Sequence, residues 1–276
     1  MPTRAHHTQR IGGLSLNCQG EDALLSRRNE RQMKVRLDKF LVEHGLAATR
    51  ERAQALILAG RVLVNEQKME KPGAAVAENA TVRLLGDDLR YVSRGGLKLE
   101  AALAHWKIDL TERVCADVGA STGGFTDCML QHGAATVVAI DTGYGQIAHK
   151  LRVDSRVMLL ERTNARHLER KQITVTVTFM AMDVSFISAT LVLPAVVRAM
   201  RPALTEAVVL VKPQFEAGRE HVGKGGIVRD PMAHALAVER VSVAVSELGA
   251  VGIEVIDSPV LGAEGNREFL LHARWT

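Results

Sequence analysis

From Arg113 onward, short apolar runs alternate with stretches of helical spacing, and this alternation limits the fold more tightly than any other feature. Strands are expected at Arg113–Val118, Thr136–Ile140, Val157–Leu160, Thr174–Met182, Ala207–Val211, Val251–Asp257 and Glu268–Ala273. Helices are expected at Gly124–His132, Gln146–Arg152, Ala189–Met200 and Pro231–Leu248. Most of these strand runs are continuously apolar, so each must be covered on both faces. That predicts a mainly parallel sheet between two layers of helix. Ligands in such sheets bind at the carboxyl ends of the strands, so residues there are the candidates for chemistry.

The loop after the first of these strands reads ADVGASTGGFTD. Gly119, Gly123 and Gly124 permit a tight turn and close backbone approach, and the following helix start offers free N–H groups. The glycine spacing differs from the G-x-G-x-x-G of dinucleotide sites, and Phe125 stands where a phosphate loop needs lysine. Asp141 ends the second strand, where a carboxylate can accept both hydroxyls of a ribose. Asp183 ends VTFMAMD and opens onto the expected cleft. Lys212 terminates AVVLVKPQFE, either as a site residue or as a snorkelling edge charge. Glu268 begins the last strand and, read alone, serves equally well as a surface carboxylate. Lys98 sits near the start of the helix LKLEAALAHW, where most lysines are merely solvated.

Ahead of this region the chain changes character. Residues 1–32 lack a sustained period and are rich in polar groups, which predicts a disordered tail. Residues 33–88 read as a small α+β domain: a helix through Val35–Leu46 with Gly45 as its C-cap, then RERAQALILAG capped by Thr49. The strands RVLVN and ATVRLL follow. A linker at 89–96 leads to the larger domain at 97–276. Residues 1–98 carry 17 Lys/Arg against 11 Asp/Glu, a surplus of six, whereas the remainder carries 18 against 20. A basic front on a near-neutral body suits a polyanionic partner. The three cysteines match neither a disulfide framework nor a metal-ligand cluster, and suit a reducing cytoplasm. No apolar run reaches the length of a membrane span or has the form of a secretion signal.

The segment RLDKFLVEHGLAATRERAQALILAGRVLVN resembles the small RNA-binding domain of ribosomal protein S-four, shared with pseudouridine synthases and tyrosyl-tRNA synthetases. That resemblance implies that Arg36, Lys39, Arg50, Arg52 and Arg61 face structured RNA, which is read mainly through shape and phosphates. The loop D-x-G-A-x-x-G-G-F is similar to the S-adenosylmethionine (SAM) loop of FtsJ-type RNA methyltransferases. With SRGGLKLE, DVGASTGGFTD, AIDTGYGQ, ERTNAR, MDVSFIS, VLVKPQFEAGRE, VGKGGIVRD and GNREFL, the chain from Met33 resembles the TlyA (haemolysin A) family of rRNA 2′-O-methyltransferases.

The implied fold is a Rossmann-like, seven-stranded SAM-dependent methyltransferase joined to the small RNA-binding domain. The implied reaction moves a methyl from SAM to a cytidine 2′-OH in ribosomal RNA, with the rRNA or a ribosomal subunit as partner. No metal, no membrane and no obligate protein partner are expected. Lys98, Asp183, Lys212 and Glu268 map onto the family tetrad. Asp117, Gly119, Ala120, Ser121, Thr122, Gly123, Gly124, Phe125, Asp141, Asn164 and Asp183 map onto the cofactor site. Arg94, Arg219 and Lys224 join the RNA-facing set, the last two on a glycine-rich loop able to close over a flipped nucleotide. Lys212 serves either as general base or as a charged group that stabilises the alkoxide while a carboxylate takes the proton. Tyr144 and Phe186 are candidates for stacking on a base, with core packing the simpler expectation for Phe186. The competing functions are a non-catalytic ribosome-assembly factor and the cytolysin that the family name suggests.

Overall fold

The structure, a computed structural model, describes residues 34–47, 49–85, 90–262 and 265–276, and it divides into two units at Asp88 and Leu89. The expected tail at 1–32 lies outside the described residues.

In the first unit, β1 (Lys34–Arg36) leads directly into α1 (Leu37–Glu43), and α2 (Arg50–Leu58) follows. Thr49 adopts an extended backbone and its side chain accepts from the Arg52 N–H, which starts α2. Gly45 lies just past the α1 C-cap at φ +68°, a left-handed position that suits glycine. The strands β2 (Val62–Val64), β3 (Gln67–Met69), β4 (Ala75–Ala77) and β5 (Val82–Leu84) are short. β2 pairs antiparallel with both β3 and β5, while β1 pairs with β4. Leu37, Phe40, Leu41, Ala53, Leu56, Ile57, Val62 and Val76 form the core. The sequence pattern put Val35 in the first helix, where the structure has β1, and gave no strand at β3 or β4.

The second unit begins with α3 (Gly95–Trp106), then β6 (Val114–Val118), α4 (Gly124–Gln131), β7 (Thr136–Ile140), α5 (His149–Arg152) and β8 (Val157–Leu160). Next come β9 (Phe179–Met182), α6 (Leu193–Met200), β10 (Glu206–Val211), α7 (Pro213–Glu216), α8 (Pro231–Glu247), β11 (Gly252–Asp257) and β12 (Phe269–Arg274). The seven-stranded sheet has the order β11-β12-β10-β9-β6-β7-β8, with β12 antiparallel to both neighbours. Residues of β6 alternate strictly between faces: Ala116 and Val118 join the core under α6 and α8, Cys115 the core under α3 and α4. The chain runs outward through β6, β7 and β8 and then returns to place β9 on the other side of β6. The crevice at that reversal is the expected ligand position.

Three expectations change on inspection. The segment 89–96 enters the second unit's core from Tyr91 onward: Tyr91 is buried, and a Cβ on Gly96 would overlap its ring. The strand expected over Thr174–Met182 is ordered only at Phe179–Met182. Its ladder stops where the Thr178 carbonyl is taken by the Thr205 N–H and the Arg113 guanidinium. The single helix expected over Ala189–Met200 is a 3-10 turn at Ala189–Leu191 followed by α6. Pro194 lacks the N–H needed to carry one hydrogen-bond ladder through both.

Candidate active site

The first turn after β6 is shaped by contacts that only glycine permits. Gly119 has φ +89°, and a Cβ there would overlap the Asp183 carbonyl oxygen at the end of β9. The loop is held on its other side by Asp141, which accepts from the Ser121 N–H at 2.8 Å and the Gly143 N–H at 2.6 Å. Gly124 opens α4 so close to the start of α3 that a Cβ would overlap Ser93 Oγ. The glycine pairs Gly95–Gly96 and Gly123–Gly124 thus bring two helix starts together beside the loop.

Asp117, on β6, is fully buried. Its Oδ2 accepts from Thr126 N at 2.9 Å and Thr126 Oγ1 at 2.6 Å, while its Oδ1 has no hydrogen-bond partner among the described residues. Burial pushes its carboxyl up to about 7; the Thr126 hydrogen bonds oppose that rise, and the charges of Asp183 and Asp141 add to it.

Four further charged residues arrive from four elements as two ion pairs. Lys212 follows β10; its Nζ lies 2.5 Å from Asp183 Oδ1 and donates to Ser185 Oγ at 2.7 Å. Lys98 on α3 donates to Glu268 Oε2 at 2.5 Å, with both side chains buried. Because β12 runs against its neighbours, its amino end, with Glu268, lies at the same sheet edge as the carboxyl ends of β9 and β10.

A cavity of about 300 Å³ is lined by Lys98, Asp183, Lys212, Ser185, Asp117 and Arg94, with Gly119 to Thr122, Gly124 and Phe125. A second, of about 460 Å³, is lined by Asp141, Asn164, Thr142, Ala165, Val184 and Phe186. Both are bordered by Gly119, Ser121, Asp183 and Ser185, so the two lie side by side at the end of β9. The second offers the polar groups of Asp141 and Asn164 among apolar walls, and the first is lined by Lys98, Lys212 and Asp183; Glu268, buried behind Lys98, lines neither.

Residues 91–275 match the model of the FtsJ-like methyltransferase family, and residues 35–82 match that of the S4 domain. The chain belongs to the FtsJ-like methyltransferase family. It is 46% identical over 243 residues to the 16S/23S rRNA (cytidine-2′-O)-methyltransferase TlyA of Mycobacterium tuberculosis, covering 87% of this chain and 90% of that one. Hemolysin A of Brachyspira hyodysenteriae is 38% identical, with 86% of this chain and 99% of the relative covered. A solved Streptococcus thermophilus protein that carries the hemolysin label superposes with TM-score 0.66 at 43% identity, covering 89% of this chain and 90% of that chain.

Within this FtsJ-like domain the expected residues divide by position. Asp117, Gly119, Ala120, Ser121, Thr122, Gly124, Phe125, Asp141, Asn164 and Asp183 line one cavity or both. Gly123 lines neither. At φ +94° it turns the chain into α4, and a Cβ there would overlap Leu151. Arg94 stands exposed at the cavity, whereas Arg219 and Lys224 are exposed and away from both cavities. Their loop is pinned by Asn266, whose side chain accepts from the Val228 N–H and donates to the Gly226 carbonyl. Phe186 is not a core residue: it is 92% exposed, sits at φ +64° and lines the second cavity.

Ser93, Ser185 and Gly262 also line the first cavity, and none was evident from spacing. Ser185 was the most accessible to sequence reasoning, being a hydroxyl two residues beyond a strand-terminal carboxylate.

In the S4 domain, Asp38 organises the cations. It is fully buried and accepts from Arg36 Nε at 3.0 Å and Nη2 at 2.8 Å, Arg50 Nε at 3.0 Å and Gln54 Nε2 at 3.0 Å. The Arg36 guanidinium holds its carboxyl well below the usual carboxylate range. Arg36 and Arg50 therefore present guanidiniums fixed by a carboxylate behind them, while Lys39 pairs with Glu43 one helical turn on at 3.3 Å. The Arg61 Nε donates to the Leu85 carbonyl, and Arg52 supplies the N–H that Thr49 caps.

Proposed function

We propose that this chain transfers a methyl group from SAM to the ribose 2′-hydroxyl of a cytidine in ribosomal RNA, acting in the cytoplasm on the RNA or on a ribosomal subunit. The observation that carries the reading is a chamber lined by Lys98, Lys212 and Asp183, with Glu268 bonded behind Lys98, beside a second cavity of about 460 Å³. The relative named for cytidine 2′-O-methylation supports the choice of acceptor, and the S4 domain supports RNA as the partner.

The residues present fit the cofactor. Asp141 and Asn164 offer polar groups to a ribose and base, with Ala165, Val184, Ile187 and Val192 as apolar walls. The unpartnered Asp117 Oδ1 suits the ammonium of the cofactor's amino-acid end. When bound, SAM supplies a sulfonium-activated methyl that needs only an oriented nucleophile.

The chain's own residues then have two tasks, orienting the ribose and managing one proton. In the ion-paired arrangement Lys212 is the donor that stabilises the developing 2′-oxyanion, and Asp183 is the acceptor for its proton. Ser185 fixes the Lys212 ammonium from a second direction. Lys98, held by Glu268 behind it, adds a second paired cation to the chamber lining, and the exposed Phe186 ring offers a face on which a base can stack.

The test is labelled-methyl transfer from SAM to naked rRNA, intact subunits and tRNA in parallel. Label in one rRNA nucleotide is expected, with that ribose resistant to alkaline cleavage. Lys212→Ala should lower turnover by about 10²–10⁴-fold with SAM affinity retained. SAM binding without transfer to any RNA would instead support a role in ribosome assembly.

A further inference from the structure

We infer that binding of the cofactor's ammonium expels a proton from the site, and that Asp117 is the group that gives it up. The inference rests on the proposed use of SAM.

Three carboxylates face the two cavities, and their compensation is unequal. Asp183, after β9, has the Lys212 ammonium at 2.5 Å. Asp141, after β7, accepts two backbone N–H groups. Asp117 lies between them on β6, fully buried, with only the Thr126 N–H and hydroxyl from α4 on one oxygen. The other oxygen has no partner among the described residues, although Asp117 lines the cavity.

The cations at the same cavity do not relieve it. Lys98 on α3 is bonded to Glu268, Lys212 to Asp183, and Arg94 stands exposed at the start of α3. A buried carboxylate with two carboxylate neighbours and no cation of its own retains a proton most readily. The upward displacement of this carboxyl to about 7 agrees with that reading.

An ammonium placed against Oδ1 supplies the missing counter-charge. The carboxyl O–H then breaks, the proton passes to solvent, and the carboxylate pairs with the ligand. By linkage, a site that must lose a proton to bind tightens as pH rises toward the carboxyl's own value and levels off above it. The ligand's α-amino group titrates near pH 8. Between pH 5.5 and 6.5 it stays charged, so a pH dependence there belongs to the protein.

The experiment is isothermal titration of the whole protein with SAM, and separately with 5′-methylthioadenosine, which lacks the amino-acid end. It is run at pH 5.5, 6.0 and 6.5, in two buffers of different ionisation heat. SAM affinity should rise about tenfold across that window, with close to one proton released. Affinity for 5′-methylthioadenosine should stay flat, and Asp117→Asn should bind SAM more weakly with no pH slope. The inference is overturned by a flat SAM affinity without proton release in the wild type, by an equal slope for 5′-methylthioadenosine, or by a slope that survives in Asp117→Asn. Failure of the wild-type protein to bind SAM at any pH would instead remove the cofactor reading itself.

Discussion

A Cβ on Gly262 would overlap the Glu268 carboxylate, so the absence of a side chain here leaves the space from which that carboxylate reaches Lys98. Gly262→Ala is expected to push Glu268 off its partner and lower kcat by about 100-fold, the scale of a displacement near 1 Å. SAM affinity should hardly change; unaltered kcat would show that the placement of Glu268 is immaterial. Lys98→Ala leaves Glu268 buried and uncompensated, which costs about 3–5 kcal/mol. Chemical denaturation of the second unit should show a loss of that size. Asp183 and Lys212 were legible from sequence because charge at the end of an apolar strand is conspicuous. Lys98 and Glu268 were not, because their meaning lies in a pairing across 170 positions, and only the family resemblance joined them. Gly262 was invisible for a related reason: its role is set by a side chain that folds back beneath it.

At the scale of elements, α1 carries a charge on its buried face. Asp38 stands beside Leu37 in the S4 domain and gathers Arg36, Arg50 and Gln54, tying β1, α1 and α2 together. Its folded carboxyl is held below the unfolded value, so the stabilisation is complete above about pH 4 and is lost as pH falls below it. Acid titration followed by circular dichroism should show the S4 domain loosening below about pH 4, and Asp38→Asn should abolish that step. The variant should also be less stable at pH 7, by about 1–3 kcal/mol, because the arginines are half exposed and solvent screens them. Sequence patterning located both helices of this unit but left Arg36 and Arg50 between a solvated face and an RNA face, and the family resemblance named only the latter. A carboxylate among apolar positions was the signal for their second attachment. In the larger unit, the break before α6 was written in Pro194, whereas the early end of the β9 ladder depended on Arg113 and Thr205, far away in the chain.

For the whole molecule, the surplus of six cations in residues 1–98 predicts RNA binding that weakens steeply with salt. Lys39→Ala, which spares the Asp38 assembly, should reduce the salt slope by about 0.7–0.9 if that lysine meets a phosphate. Filter binding at several salt concentrations measures it, and an unchanged slope would remove Lys39 from the interface. The alternation of strand and helix made the layered architecture and its ligand edge readable in advance, because burial on both faces dictates composition throughout a central strand. The reversed direction of β12 was not readable, since parallel and antiparallel neighbours demand the same apolar residues. That reversal has a consequence in time. Lys98 leaves the ribosome 170 residues before Glu268, and β12, which Glu268 immediately precedes, is the last strand of this sheet in chain order. The Lys98–Glu268 pair can therefore close only after the other six strands of the sheet have emerged, long after the S4 segment has become available to fold.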